Sequence, residues 1–136
     1  MEQSFKVESG DFTKAGAVSS TVKRTLKQLG LDSKIIKRVV VALFEAEVNV
    51  IAHSYGGTID FSIDTSCITL FITDTGPGIP DLDKAMQEGW STATEQIREM
   101  GYGAGMRLPN MKNNADRLDI YTKEGDHTEI KMVFNI

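Results

Sequence analysis

Residues 39–52 constrain the fold more than any other stretch of the chain. They read Val-Val-Val-Ala-Leu-Phe-Glu-Ala-Glu-Val-Asn-Val-Ile-Ala. A helix that is apolar nearly all round has to be buried. Asp32 or Ser33 can cap it, and it runs to about Ser54, where Gly56-Gly57 stops it. A buried helix needs a surface to lie on, and alternating strands supply one. Ile59, Phe61 and Ile63 alternate with polar residues, as do Ile68, Leu70 and Ile72. Leu118 and Ile120 mark a further strand, and Ile130, Met132, Phe134 and Ile136 mark the last. Such alternation gives a sheet with one buried and one wetter face. Residues 3–8 add a short edge strand. Residues 13–29 read as an amphipathic helix with Ala17, Val18, Val22, Leu26 and Leu29 on one stripe, ended by Gly30. Residues 108–117 read as a third helix, with Pro109 tolerated in its first turn. The expected fold is a two-layer α/β (α+β) sandwich, a mixed, mostly antiparallel sheet covered on one face by three helices.

Size and charge narrow the function. The 136 residues are one domain's worth, without a visible repeat or linker, so 1–136 is expected to be a single domain. Fifteen Lys and Arg against nineteen Asp and Glu give a net charge of −4, without the basic footprint that direct nucleic-acid binding needs. The longest unbroken apolar run, residues 39–44, falls far short of the roughly 20 residues that span a bilayer. Met1-Glu2-Gln3-Ser4 does not read as a signal peptide. The single Cys67 excludes an internal disulfide and a cysteine-cluster zinc site, and fits a reducing cytoplasm. The expectation is a cytoplasmic protein without a membrane segment.

Three stretches carry candidate chemistry. Glu45 and Asn49 stand four apart on the apolar helix and share a face, with His53 four further on and Glu47 pointing roughly the other way. Polar groups on such a helix need partners. They are either a satisfied structural pair or solvent-facing strip, or a carboxylate base beside an amide that coordinates a hydrated cation. Asp74-Thr75-Gly76-Pro77-Gly78 ends a strand, and Asp74 shares parity with Ile68, Leu70 and Ile72, so it faces the helix layer. There it can accept a hydrogen bond from a ligand amine, or simply open a turn. Gly101-Tyr102-Gly103-Ala104-Gly105-Met106 precedes the third helix, where backbone N–H groups favour an anion, although a hinge reads the same way. Six of the twelve glycines fall within residues 76–105, a long loop of the functional kind.

The order of these motifs resembles that of the Bergerat-fold (GHKL) ATPases. A domain of this size looks most like their stand-alone anti-sigma-factor serine/threonine kinase branch, and the likeness covers roughly residues 5–135. The resemblance implies the site roles. Glu45 would be the general base and Asn49 the Mg²⁺ ligand. Asp74 would bind the adenine amino group, with Gly76 and Gly78 packing near the base. Gly101, Gly103, Ala104, Gly105 and Met106 would meet the phosphates, Thr128 would contact adenine through water, and residues 80–100 would form a lid. Arg107 stands where the family has a small or neutral residue, and reads as a phosphate or partner contact or as a surface arginine. His53 and Cys67 read as structural, and Trp90 as a lid or partner contact.

The implied function is an ATP- and Mg²⁺-dependent protein kinase acting on a small anti-anti-sigma-like partner, with a sigma factor as a second partner and homodimerisation as an option. The alternative is a nucleotide-gated binding module without phosphotransfer. A third reading, a plain α/β interaction domain, implies no Mg-ATP binding at all.

Overall fold

The computed structural model describes residues 1–10, 12–75, 107–122 and 127–136. Strand β1 (Glu2–Val7) leads through a 3-10 turn (Phe12–Lys14) to helices α1 (Ala17–Gln28) and α2 (Ser33–His53). Strands β2 (Gly57–Ile63) and β3 (Cys67–Thr75) follow. Helix α3 (Arg107–Asn114) and strands β4 (Arg117–Thr122) and β5 (His127–Asn135) complete the order. The sheet runs β1-β2-β3-β5-β4, and all four pairings are antiparallel. No parallel pair occurs among the described residues, so the expected mixed character is absent there. Two of the pairs, β2–β3 and β4–β5, join strands that follow one another in the chain, which favours antiparallel pairing; β1–β2 and β3–β5, separated by helices, are antiparallel as well.

The strand registers stack like with like on the helix-covered face. Ile59, Ile72, Ile130 and Ile120 form one row across the sheet, and Phe61, Leu70, Met132 and Leu118 the next. Ile63, Ile68 and Phe134 form a third. Helix α2 lies over these rows with Val39, Leu43, Ala46 and Val50 fully buried. Burial of each large aliphatic side chain stabilises the fold by about 1.5–3 kcal/mol. Asp32 caps α2, its carboxylate accepting the Lys34 N–H at 2.8 Å.

Two helices differ from their expected bounds. Gly16 stands at φ 92°, a left-handed conformation that separates the 3-10 turn from α1, so that helix begins at Ala17 instead of residue 13. Helix α3 ends at Asn114 because Asp116 belongs to the sheet. Its N–H donates to the Val133 carbonyl, its carboxylate accepts the Asn135 N–H at 2.7 Å, and it pairs with Arg38 at 3.0 Å.

Helix α1 has no side-chain cap of its own. Its cap comes from α2. One Glu47 oxygen accepts the N–H groups of Gly16 and Val18 at 3.1 and 3.2 Å, and the other accepts the Ser19 N–H at 3.2 Å and the Ser19 hydroxyl at 2.9 Å. Glu47 is buried, yet its carboxylate is surrounded by donors at the positive end of a helix. The carboxylate that looked like an interruption in an apolar helix is the clasp between the first two helices.

Candidate functional site

The fourth row across the covered face breaks the apolar pattern. Gly57, Asp74, Thr128 and Thr122 stand side by side there, at the end of β3. Asp74 and Thr128 are buried, and the Thr128 and Thr122 hydroxyls lie 3.0 Å apart. Three rows of hydrocarbon thus end in a polar rim. The parity expected for Asp74 and Thr128 is observed: both side chains face the helix layer.

The rim is held against the end of α2. The Tyr55 N–H donates to the Thr75 carbonyl and the Thr75 N–H to the Gly56 carbonyl, each at 3.0 Å. The last turns of α2 therefore sit at the same end of the molecule as Asp74. Ser54 caps this helix end, its hydroxyl donating to the Val50 carbonyl at 2.7 Å while its oxygen accepts the Gly56 N–H at 3.1 Å.

Asp74 is electrostatically unusual. Burial pushes its carboxyl up from 3.8 to about 6, and a hydrogen bond from the Thr128 backbone and the nearby His127 hold it back only in part. A buried carboxylate at this rim gains from any further hydrogen-bond donor, because such a bond stabilises its ionised form.

Gly57 makes room for it. A Cβ at this position would stand 2.4 Å from the Thr73 carbonyl oxygen and 3.0 Å from the Asp74 Cα. The β2–β3 pair can close at the rim only with glycine opposite Asp74.

Glu45 and Asn49 lie on one stripe of α2, both partly exposed. Asn110 of α3 donates its side-chain amide to Glu45 at 3.2 Å. The backbone that carries Asn110 is tied down in turn. Asn114 donates its side chain to the Asn110 carbonyl at 2.7 Å, and Arg38 donates to the Asn114 carbonyl at 2.9 Å. Glu45 is thus oriented by an amide, whereas Glu47 is fully used as a helix cap. Two acids two residues apart have opposite fates because the helix turns about 200° between them.

The structure therefore brings Asp74 and Thr128 together on the sheet rim and joins that rim to the end of α2, the helix that carries Glu45 and Asn49. Gly76, Gly78, Gly101, Gly103, Ala104, Gly105, Met106, the lid at 80–100 and Trp90 lie outside the described residues. So do the side chains of His53 and Arg107. Cys67 is a free, partly exposed thiol. Sequence reasoning missed Gly57, Thr122, His127 and Asn110. Gly57 and Thr122 emerge once the strand register is known, His127 from its place beside Thr128 in β5, and Asn110 only from the packing of α3 on α2. Among the described residues, no group of three or more His, Cys, Asp or Glu side chains could hold a metal, and no helix is long and apolar enough to cross a membrane.

Comparison with known proteins gives this geometry a context. The profile of the histidine kinase-like ATPase domain family matches residues 9–134. The serine/threonine-protein kinase RsbT of Bacillus subtilis is 29% identical over 117 residues, covering 82% of this chain and 80% of its own. An anti-sigma F factor of a Thermoanaerobacter species is 33% identical over 102 residues, covering 71% and 68% respectively. Among solved structures, the RsbU and RsbW domains of Rv1364c from Mycobacterium tuberculosis superpose with a TM-score of 0.66 at 14% identity. That match covers 98% of this chain and 31% of the other, a likeness of fold alone.

Proposed function

The chain belongs to the histidine kinase-like ATPase domain family, and on that premise we propose that it is an ATP-dependent serine/threonine protein kinase of the anti-sigma type. Its substrate in this reading is a small anti-anti-sigma-like protein. The observation that carries the proposal is the division of labour on α2. Glu47 is buried as a helix cap, while Glu45 stays partly exposed and is oriented by Asn110, four residues from Asn49.

Each residue has a chemical task in this reading. Asp74 accepts a hydrogen bond from the exocyclic amine of adenine, with Thr128 beside it on the rim. Glu45 takes the proton of the partner's Ser or Thr hydroxyl as that oxygen bonds to the γ-phosphorus. The bond to the bridging oxygen breaks, and ADP leaves. The side-chain oxygen of Asn49 fits Mg²⁺, a hard cation that commonly takes one or two protein oxygens together with phosphates and waters. When bound, Mg²⁺ supplies charge neutralisation across the phosphates. The glycine run at 101–105 and the Ala104 and Met106 backbone would supply N–H groups to those phosphates, and Gly76 and Gly78 would let backbone approach the base.

The test is phosphate transfer from γ-labelled ATP to a purified anti-anti-sigma-type protein from the same genome. Wild type is expected to label a Ser or Thr. Glu45→Ala is expected to lose at least 100-fold in transfer while ATP affinity, read by calorimetry, stays within threefold. Wild type that binds ATP and the partner without any transfer would instead establish a nucleotide-gated binding module.

A further inference from the structure

One feature of the sequence is not used by the nucleotide site. Residues 14–38 hold seven of the fifteen basic residues and a single acid, Asp32. The rest of the chain carries eight basic residues against eighteen acids. The positive charge is therefore concentrated on α1 and the first half of α2.

That charge surrounds an apolar groove. Between α1 and α2 runs a depression of about 270 Å³, floored by Ile36, Val40 and Val41 and flanked by Lys23, Lys27 and Lys37. Val40 and Val41 are only half-buried, so α2 has more apolar surface than its own fold covers. Among the described residues, none of the three lysines pairs with a carboxylate. The groove also has a direction. Lys37, Val41, Glu45 and Asn49 follow one another at four-residue spacing, so its floor continues along the stripe that carries the nucleotide-site residues.

We propose that this groove is the docking site for an acidic amphipathic helix of a protein partner. The apolar floor takes the i, i+3, i+4 side chains of such a helix, and lysines on both walls meet acids on its flanks. Charge complementarity of this kind governs encounter and register. A helix is favoured over a membrane because the apolar floor is recessed between lysines, whereas a lipid surface needs apolar groups that protrude. Docking here is independent of phosphotransfer and would serve a kinase or a binding module equally.

The experiment titrates the full chain with three synthetic 18-residue peptides, followed by fluorescence anisotropy and backbone amide shifts. One carries Leu at i, i+3, i+4 and i+7 with Glu on the flanks. The second has the same composition scrambled, and the third replaces Glu by Lys. The acidic amphipathic peptide is expected to bind in the micromolar range, weakening as salt rises, with shifts centred on residues 23–41. Charge reversal in K23E/K27E/K37E is expected to weaken it at least tenfold, while calorimetric ATP affinity stays within twofold. The second variant, Val41→Ser, is expected to weaken it about fivefold without changing net charge. Four results would overturn the proposal: failure of the acidic peptide to bind at 1 mM, equal binding of the scrambled or lysine peptide, insensitivity to the variants, or binding to phosphatidylserine vesicles in place of the peptide. Sedimentation equilibrium showing a dimer that K23E/K27E/K37E dissociates would assign the groove to a second copy of the chain. The ATP titration reads the nucleotide site separately, so its failure and the failure of docking are distinguishable.

Discussion

Replacing Asp74 by Asn should stabilise the protein while removing nucleotide binding. The buried carboxyl is raised from 3.8 to about 6, so the native state holds its proton more tightly than the unfolded chain does. The contribution of this group to stability is therefore most favourable below about pH 4. It falls as pH rises and is fully lost above about pH 6. That rise corresponds to about 3 kcal/mol of penalty at neutral pH, at about 1.36 kcal/mol for each tenfold change in the protonation equilibrium. Asn keeps an oxygen for the Thr128 N–H but adds an amide that needs an acceptor, which takes back about 1 kcal/mol. Urea unfolding of wild type and Asp74→Asn at pH 7.5 and pH 4 reads the difference. The variant should be about 1–2 kcal/mol more stable at pH 7.5, and the advantage should vanish near pH 4. ATP affinity should fall at least 100-fold, since the amide offers the adenine amine a donor beside its one acceptor. Wild-type affinity should also decline below about pH 6, as the carboxyl protonates. A variant less stable than wild type at pH 7.5, or a difference that ignores pH, would refute the assignment of a buried carboxylate that the Thr128 N–H and His127 compensate only in part.

Four further substitutions follow, three at parts that hold the site and one, at Gly30, as a control. Gly57→Ala should cost about 2 kcal/mol or more in urea unfolding and weaken ATP binding, because its Cβ meets the Thr73 carbonyl at 2.4 Å. Gly30→Ala, at φ +76° with nothing within 4 Å, should cost only about 1 kcal/mol and leave ATP affinity unchanged. Glu47→Ala strands the N–H groups of Gly16, Val18 and Ser19 and should cost about 3–5 kcal/mol, with faster hydrogen exchange confined first to the start of α1. Asn110→Ala releases Glu45, so phosphate transfer should fall about tenfold or more while ATP affinity stays within twofold.

Much of this architecture is visible in the residues themselves. The long apolar helix, the period-two strands and the inward parity of Asp74 and Thr128 follow from local pattern, which side-chain geometry enforces directly. Glu45 and Asn49 stand out because polar groups are costly on such a helix. What stays hidden depends on partners far away along the chain. Glu47 meets donors 28 to 31 residues away, so its spacing does not distinguish a helix clasp from a solvent-facing acid. The need for glycine at position 57 appears only once its register opposite Asp74 is known. The early end of α3 follows from Asp116 joining Arg38 and Asn135, again contacts of long range. The basic residues of 14–38 are plain in the sequence, but only the packing of α1 on α2 shows that three of them flank an apolar floor.

The most direct test of the central claim is a crystal structure with Mg²⁺ and a nonhydrolysable ATP analogue. The adenine amino group should lie within hydrogen-bond distance of the Asp74 carboxylate, the Asn49 oxygen should coordinate the cation, and Glu45 should face the γ-phosphate. An analogue bound elsewhere, or an adenine ring that leaves Asp74 without a partner, would contradict the account.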